Sequence, residues 1–272
     1  MKIATIQMVS GPHLADNLQL AKTLISQAAH AGAELVVLPE YFCQMGNHDT
    51  HKLTIQEPFG KGPLQQFLST LARELKIWLV GGTIPLSTHQ DNKVYNSSLA
   101  FNPQGECVAR YDKIHLFCFN NGKENYDEAR VLEAGSSPAM FALPSRDGHT
   151  WNIGLSVCYD LRFPELYRIY AREGADLLLV PSAFTYTTGQ AHWEVLLRSR
   201  AIENLSYVVA SAQGGEHPNG RRTWGHSMAI DPWGQVLAVK DQGVGMVLAD
   251  LQHTVVQRCR LQLPALQHRV VG

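Results

Sequence analysis

Gly32-Ala33-Glu34-Leu35-Val36-Val37-Leu38-Pro39 returns later in the chain as Gly174-Ala175-Asp176-Leu177-Leu178-Leu179-Val180-Pro181, nearly position for position. A glycine followed by a short apolar run ends a helix and opens a buried strand, so each copy reads as a helix-to-strand joint. A second echo, Ser98-Leu99-Ala100-Phe101-Asn102-Pro103-Gln104-Gly105 against Ser227-Met228-Ala229-Ile230-Asp231-Pro232-Trp233-Gly234, comes in the same order. Two echoes in one order favour an internally duplicated chain over a common joint used twice.

The periodicity around these joints is the same in both halves. In the first, a strand near residues 2 to 8 is followed by a helix at Leu14 to Ala31, a strand at Glu34 to Leu38 and a helix at Leu64 to Leu75. Strands at Ile77 to Ile84, Tyr95 to Asn102 and Cys107 to Tyr111 complete it. The second half gives a strand at Trp151 to Val157, a helix at Pro164 to Glu173, a strand at Asp176 to Val180 and a helix at Ala191 to Glu203. Strands at Tyr207 to Ala212, Ser227 to Ile230, Val236 to Val239 and Met246 to Ala249 follow. The expected fold class is α/β: two helix-covered sheets of mixed strands packed face to face as a four-layer αββα sandwich. No linker interrupts the pattern, so one domain is expected over 1–272, with a C-terminal tail from about residue 251 whose apolar residues fall at helical spacing.

Composition narrows the function. The chain has 272 residues, 45% apolar and 17% charged, with a net charge of −1. That suits a large core and removes the electrostatic case for a nucleic-acid partner. Five cysteines, at 43, 107, 118, 158 and 259, are odd in number and hold no Cys-x-x-Cys pair. They fit neither a disulfide framework nor a zinc ribbon, and no metal is expected. His48, His51 and Cys43 match no standard ligand spacing. The first residues lack the apolar stretch of a signal peptide, and no run approaches the ~20 residues of a membrane span. A cytoplasmic protein without a membrane partner is the expectation.

The two halves differ after the shared proline, where the first carries Glu40 and the second Ser182. A carboxylate closing an apolar strand, unless paired, has its pKa raised and suits a general base; it can equally cap the next turn. Cys158 follows a strand, and Pro164 stands at the first turn of the next helix. That placement is a nucleophile elbow, in which the Tyr159 N–H can hold an oxyanion, although free cysteines are also common as small buried hydrophobes. Lys113, where another strand ends, can offset charge on a substrate oxygen or be merely solvated.

Val37-Leu38-Pro39-Glu40, Arg110-Tyr111-Asp112-Lys113-Ile114-His115-Leu116 and Gly154-Leu155-Ser156-Val157-Cys158-Tyr159-Asp160-Leu161-Arg162-Phe163-Pro164-Glu165 stand in this order. Together they resemble the three signatures of the nitrilase superfamily of carbon–nitrogen hydrolases. The resemblance implies the same four-layer sandwich and a catalytic triad of Glu40, Lys113 and Cys158, with amide hydrolysis through a thioester and no cofactor. It also implies a homodimer and a small-molecule amide substrate. A second glutamate is implied near Lys113, and Glu128 matches its place before Gly135, with Glu124 and Glu133 as competitors.

The run Pro181-Ser182-Ala183-Phe184-Thr185-Tyr186-Thr187-Thr188-Gly189-Gln190-Ala191-His192-Trp193-Glu194 resembles the deaminated-glutathione amidase branch. The ω-amidase branch, acting on 2-oxoglutaramate, is the runner-up. A substrate with a carboxylate at each end needs cations and donors, for which Arg162, Thr188, His192 and Phe184 are the site candidates and Arg221, Arg222 and His226 further ones. His192 and Trp193 can also be packing residues, and the loop holding Arg221-Arg222 can be solvated surface. Segment 117–125 matches neither branch, and it falls where an active-site loop is expected. A Cys/His protease would leave Glu40 and Lys113 without a role. A non-catalytic binding scaffold would be expected to have lost part of the triad, and all of it is present.

Overall fold

The computed structural model describes residues 1–122 and 124–271; Lys123, in the segment that matches neither branch, and Gly272, at the end of the tail, lie outside the described residues. The first half contains β1 (Lys2–Gln7), α1 (Leu14–His30), β2 (Leu35–Val37), α2 (Pro63–Leu75), β3 (Trp78–Val80), β4 (Ile84–Ser87), β5 (Val94–Phe101) and β6 (Cys107–Asp112). A ribbon of β7 (Cys118–Asn120) and β8 (Asn125–Asp127) and a short β9 (Leu132–Glu133) lead to the second half. That half contains β10 (Ala139–Pro144), β11 (Thr150–Leu155), α3 (Pro164–Arg172), β12 (Leu177–Ser182), α4 (Tyr186–Asn204), β13 (Tyr207–Ala212), a ribbon of β14 (Gly214–Glu216) and β15 (Arg222–Trp224), β16 (Ser227–Ile230) and β17 (Val236–Lys240). β18 (Gly245–Asp250) and α5 (His253–Gln262) close the sequence of elements.

The strands form two main sheets with the same plan. In the first, β1, β2 and β3 run parallel, β18 lies antiparallel beside β1, and β5 lies antiparallel beside β3 with β4, β6 and β9 along its length. In the second, β11, β12 and β13 run parallel, with β10 antiparallel beside β11 and β16 then β17 antiparallel beyond β13. The echoed sequences occupy matching places. Gly32 and Gly174 end α1 and α3 with φ of +87° and +81°, a conformation cheap only for glycine. Ala33 N–H then donates to Ala28 O as Ala175 N–H does to Tyr170 O, and Trp78 N–H to Glu34 O as Tyr207 N–H to Asp176 O.

Strand alternation sorts the side chains into layers. Ile3, Leu35, Val37, Trp78 and Val80 from the first sheet join Trp151, Ile153, Leu155, Leu177 and Leu179 from the second in one buried cluster between the sheets. Their neighbours Ala4, Ile6, Val36, Leu38 and Leu79 pack instead against Ala21, Leu24, Ile25 and Ala28 of α1 and Leu64, Leu68 and Leu71 of α2. On the other side, Tyr170 of α3 lies over Gly154 and Leu178, and Trp193, Leu197 and Ala201 of α4 are fully buried. Burial of each large side chain contributes roughly 1.5–3 kcal/mol, so the αββα arrangement follows from the two periodicities. Thr5 Oγ1 and Ser211 Oγ cross between the sheets to Ala210 O and Val37 O at 2.9 and 3.0 Å. In α5, Arg260 donates to Asp176, Ala175 O and Leu205 O, which fastens the end of the chain to the second sheet.

Several boundaries differ from the sequence reading. The strand expected over Ile77 to Ile84 is two strands, broken at Gly81-Gly82-Thr83, where the Thr83 hydroxyl turns to accept from Tyr41 N–H. α4 begins at Tyr186 rather than Ala191, because Thr185 caps it and Gly189, which reads as a loop residue, is required where Trp224 presses on the helix. β10 and both ribbons fall outside the expected strands: each ribbon strand has three residues, too few to show periodicity, and β10, Ala139-Met140-Phe141-Ala142-Leu143-Pro144, is apolar throughout and shows no alternation.

Candidate active site

Glu40 lies just past the end of β2 and is 1% exposed. Its Oε1 accepts from Asn96 Nδ2 at 2.8 Å and from Lys113 Nζ at 2.9 Å, and its Oε2 accepts from Ala183 N–H at 2.8 Å. The carboxylate is therefore paired. Gln213 Nε2 donates to the Glu40 carbonyl, tying this strand end to the second sheet.

Lys113 follows β6 and is wholly buried. Its N–H donates to Asn96 O and its carbonyl accepts from Gly135 N–H at 2.9 Å. A Cβ on Gly135 would stand 2.1 Å from Asp112 O, so only glycine lets the two backbones approach this closely. Lys113 Nζ donates to Glu128 Oε2 at 2.7 Å as well as to Glu40. Glu128 also accepts from Phe117 N–H and the Tyr41 hydroxyl, both at 2.8 Å. Of the three candidate second glutamates it alone reaches Lys113, since Glu124 accepts from Thr187 and Glu133 from Tyr95. Burial acts against the Lys113 charge, but the fields of Glu128 and then Glu40 outweigh it and hold the ammonium well above its ordinary range. Burial likewise pushes Glu128 upward, and Lys113 outweighs it and holds the carboxyl below its ordinary value.

Cys158 is separated from β11 by Ser156 and Val157 and adopts φ of +51° at the start of a 3-10 turn, Cys158–Arg162, before α3 begins at Pro164. The elbow is thus built from a 3-10 turn rather than directly from α3. In the first turn of any helix the N–H groups lack intrahelical partners, which leaves Tyr159 N–H at the thiol. Burial, then the charge of Glu40, pushes the Cys158 thiol well above its ordinary pKa against the pull of Lys113, so it rests protonated.

Asp160 stands in the cysteine motif, where the sequence alone assigns it no role. Fully buried, it accepts from Val157 N–H and the Tyr111 hydroxyl on one oxygen and from His115 N–H and Nδ1 on the other, at 2.7 to 3.0 Å. It clamps the cysteine turn to residues on both sides of Lys113. An amide has one acceptor oxygen where the carboxylate has two, so Asp160→Asn strands two donors. Each buried unsatisfied donor costs about 1–3 kcal/mol. The expected result is a thermal midpoint lowered by several degrees with kcat reduced at least about tenfold; kcat at the wild-type level in a destabilised Asp160→Asn would show a purely structural role.

A tight cavity meets the thiol. Glu40, Phe117, Glu128, Cys158, Tyr159, Arg162, Ala183, Phe184, Thr185, Thr188 and Arg221 line it. The Arg162 guanidinium stands 5.5 Å from the Phe184 ring centre and 5.7 Å from that of Tyr159. His192 does not line the cavity; it is exposed on α4, with Nδ1 3.3 Å from both terminal nitrogens of Arg162, so it can hold that side chain from behind. Trp193 is packed, as one reading of that pair had it. The loop left open between substrate binding and solvated surface divides: Arg222 is exposed over Tyr186, whereas Arg221 turns inward and donates to Ala183 O. His226 stacks on Trp224 outside the cavity. Among the described residues the five cysteines are all free thiols.

Chemically, the site presents a neutral thiol, a carboxylate able to take its proton, a fixed ammonium, and a cationic pocket. The model of the carbon-nitrogen hydrolase family matches residues 2–261. The chain belongs to this family. A protein of Synechocystis sp. named deaminated glutathione amidase is 43% identical to this carbon-nitrogen hydrolase over 270 residues, covering 98% of the chain and 97% of the relative. Omega-amidase NIT2 of Danio rerio is 37% identical over 269 residues, covering 98% and 94%. Among solved structures, the NitFhit protein of C. elegans superposes with a TM-score of 0.88 at 38% identity; the alignment takes in 99% of this chain but only 65% of that one. An amidase from Nesterenkonia sp. AN1, solved as a glutamate-to-glutamine variant with acrylamide added to its active-site cysteine, has a TM-score of 0.77 at 26% identity, with coverage of 97% and 98%. No helix among the described residues is long and apolar enough to cross a membrane.

Proposed function

We propose that this carbon-nitrogen hydrolase cleaves the 2-oxoglutaryl amide bond of deaminated glutathione, releasing 2-oxoglutarate and cysteinylglycine, with Glu40, Lys113 and Cys158 as its catalytic triad. The observation that carries the chemistry is the buried Lys113 ammonium, held by Glu40 and Glu128 within electrostatic reach of the Cys158 thiol. Glu40 takes the thiol proton as sulfur attacks the amide carbon, and Lys113 with Tyr159 N–H receives the negative oxygen. Glu40 passes its proton to the leaving nitrogen, the C–N bond breaks, and the acyl group remains on sulfur as a thioester. Water then attacks the thioester carbon, giving a proton to Glu40, and as the C–S bond breaks that proton returns to sulfur. Glu128, bonded to Lys113, Tyr41 and Phe117, positions the ammonium.

The substrate reading rests on the cavity and on the relatives. Arg162, beside Phe184 and Thr188, suits the carboxylate of a short 2-oxo acid, and His192 behind it supports the arginine. The relative from Synechocystis carries the activity in its name. The relative from Danio rerio favours a second reading, release of ammonia from 2-oxoglutaramate, because both substrates share the 2-oxoglutaryl half. Comparing kcat/KM for deaminated glutathione, 2-oxoglutaramate and a simple nitrile decides between them. Deaminated glutathione is expected to lead; a ratio favouring the small amide would overturn the first reading.

A further inference from the structure

Arg221 lines the active cavity and also a second cavity beyond it, of about 310 Å³. The walls of the second come from three segments: the loop after Glu40, from Tyr41 to Lys52; β8, through Asn125 and Tyr126; and the β14–β15 ribbon, through Asn219 and Arg221. Tyr41 stands on the boundary too, since its hydroxyl holds Glu128 and the residue also lines the second cavity. Arg162 and Thr188 line only the first cavity. The acylated half of a substrate and its leaving half lie on opposite sides of the carbon that sulfur attacks, so an enzyme holding the acyl half at Arg162 needs room for the leaving half elsewhere. Ammonia needs none.

The lining says what that group carries. Two cationic side chains, Lys52 and Arg221, face this cavity with one carboxylate, Asp49, whose oxygen is 3.7 Å from Lys52 Nζ. Lys52 is mostly buried, its ammonium 4.8 Å from the centre of the Tyr41 ring. Among the described residues Arg221 Nε is buried without a hydrogen-bond partner, and so is Gln44 Oε1 on the same wall. An orphaned donor and an orphaned acceptor beside a surplus of positive charge suit a peptide unit ending in a carboxylate.

We propose that this second cavity is the leaving-group subsite, taking a dipeptide-sized amine whose terminal carboxylate pairs with Lys52 while Arg221 Nε–H and Gln44 Oε1 meet its peptide bond. The inference rests on the reading above that Cys158 attacks the 2-oxoglutaryl amide, and it names the residues that separate a peptide-releasing amidase from an ammonia-releasing one.

The test uses the full-length enzyme, its Lys52→Met and Lys52→Arg variants, and three substrates: deaminated glutathione, its C-terminal carboxamide, and 2-oxoglutaramate. Wild type is expected to prefer the free acid over the carboxamide by about tenfold or more in kcat/KM, chiefly through KM, as a charged pair in a partly buried site allows. Lys52→Met is expected to lose that preference, and Lys52→Arg to recover most of it. Equal rates for acid and carboxamide in wild type would overturn the subsite even if no variant folds. So would a Lys52→Met that discriminates between them as wild type does. A wild type that hydrolyses 2-oxoglutaramate but neither peptide form would instead overturn the substrate reading, and the subsite with it.

Discussion

Cys158→Ala is expected to reduce turnover of any amide substrate to background, a loss of at least about 10⁴-fold in kcat, as removal of a covalent nucleophile does elsewhere. The fold should survive. Cys158 is buried and small, and alanine keeps the Cβ that the +51° backbone already accommodates, so the variant loses one sulfur's packing and no new backbone strain is added. Binding should survive as well, because Arg162, Phe184 and Thr188 are untouched. Steady-state turnover together with mass spectrometry of quenched reactions gives two readouts. Wild type should carry a mass increase equal to the 2-oxoglutaryl group, and the variant none. Full activity in a correctly folded Cys158→Ala would remove the nucleophile assignment. The other buried thiols offer no substitute, since Cys43 has no place in the active cavity and burial pushes it up to about 12, and Cys259 lies on α5 at the far end of the chain.

Lys113→Met is expected to fail twice, in chemistry and in stability. Losing a positioned donor to a developing oxyanion costs about 10²–10³ in kcat. Losing the cation also leaves Glu40 and Glu128 facing each other across a buried gap, and breaking a buried ion pair from one side costs roughly 3–5 kcal/mol. The signs set where that stability difference appears. The Glu128 carboxyl is held below its ordinary value, so its contribution is present above the unfolded glutamate pKa of about 4.3 and is lost as the pH falls through its folded value. The Lys113 ammonium is held above its ordinary value, so its contribution is present below the unfolded lysine pKa of about 10.4 and is lost only as the pH rises through its folded value. Denaturation of wild type and variant should therefore differ most between these limits and converge toward acid. Adding Glu128→Gln to Lys113→Met removes one of the facing charges and should recover part of the stability with none of the turnover. A double variant that regained activity would show that Lys113 serves the fold alone.

Much of this architecture can be read from the repeated helix-to-strand joint, because Gly32 and Gly174 must sit where φ is positive and the apolar runs after them must be buried on both faces. Glu40, Lys113 and Cys158 each stand where a strand gives way, a pattern visible in the order of apolar and polar residues. What escapes the sequence is decided by distant parts of the chain. Arg221 turns inward because Ala183 O and the Tyr126 ring meet it, neither of which is near it in sequence. Asp160 gains its role from Tyr111 and His115, brought to it across the two sheets. His192 reads as a pocket or packing residue, and the helix sets it outward against Arg162 instead. Asn96 is one of three consecutive polar residues in its strand, Asn96-Ser97-Ser98, and only the folded chain places it on Glu40.

The last strand has a consequence for how the molecule assembles. β18 lies against β1, so the first sheet is completed by residues 245–250 pairing with residues 2–7. While the chain emerges during synthesis, the backbone edge of β1 stays open until nearly all of the second half has followed. That pairing spans most of the chain and has a high closure entropy, which places it late in folding. The half that carries Glu40 and Lys113 therefore stays exposed to mispairing for longer than the half that carries Cys158, and protection from association during that interval matters most for the first sheet.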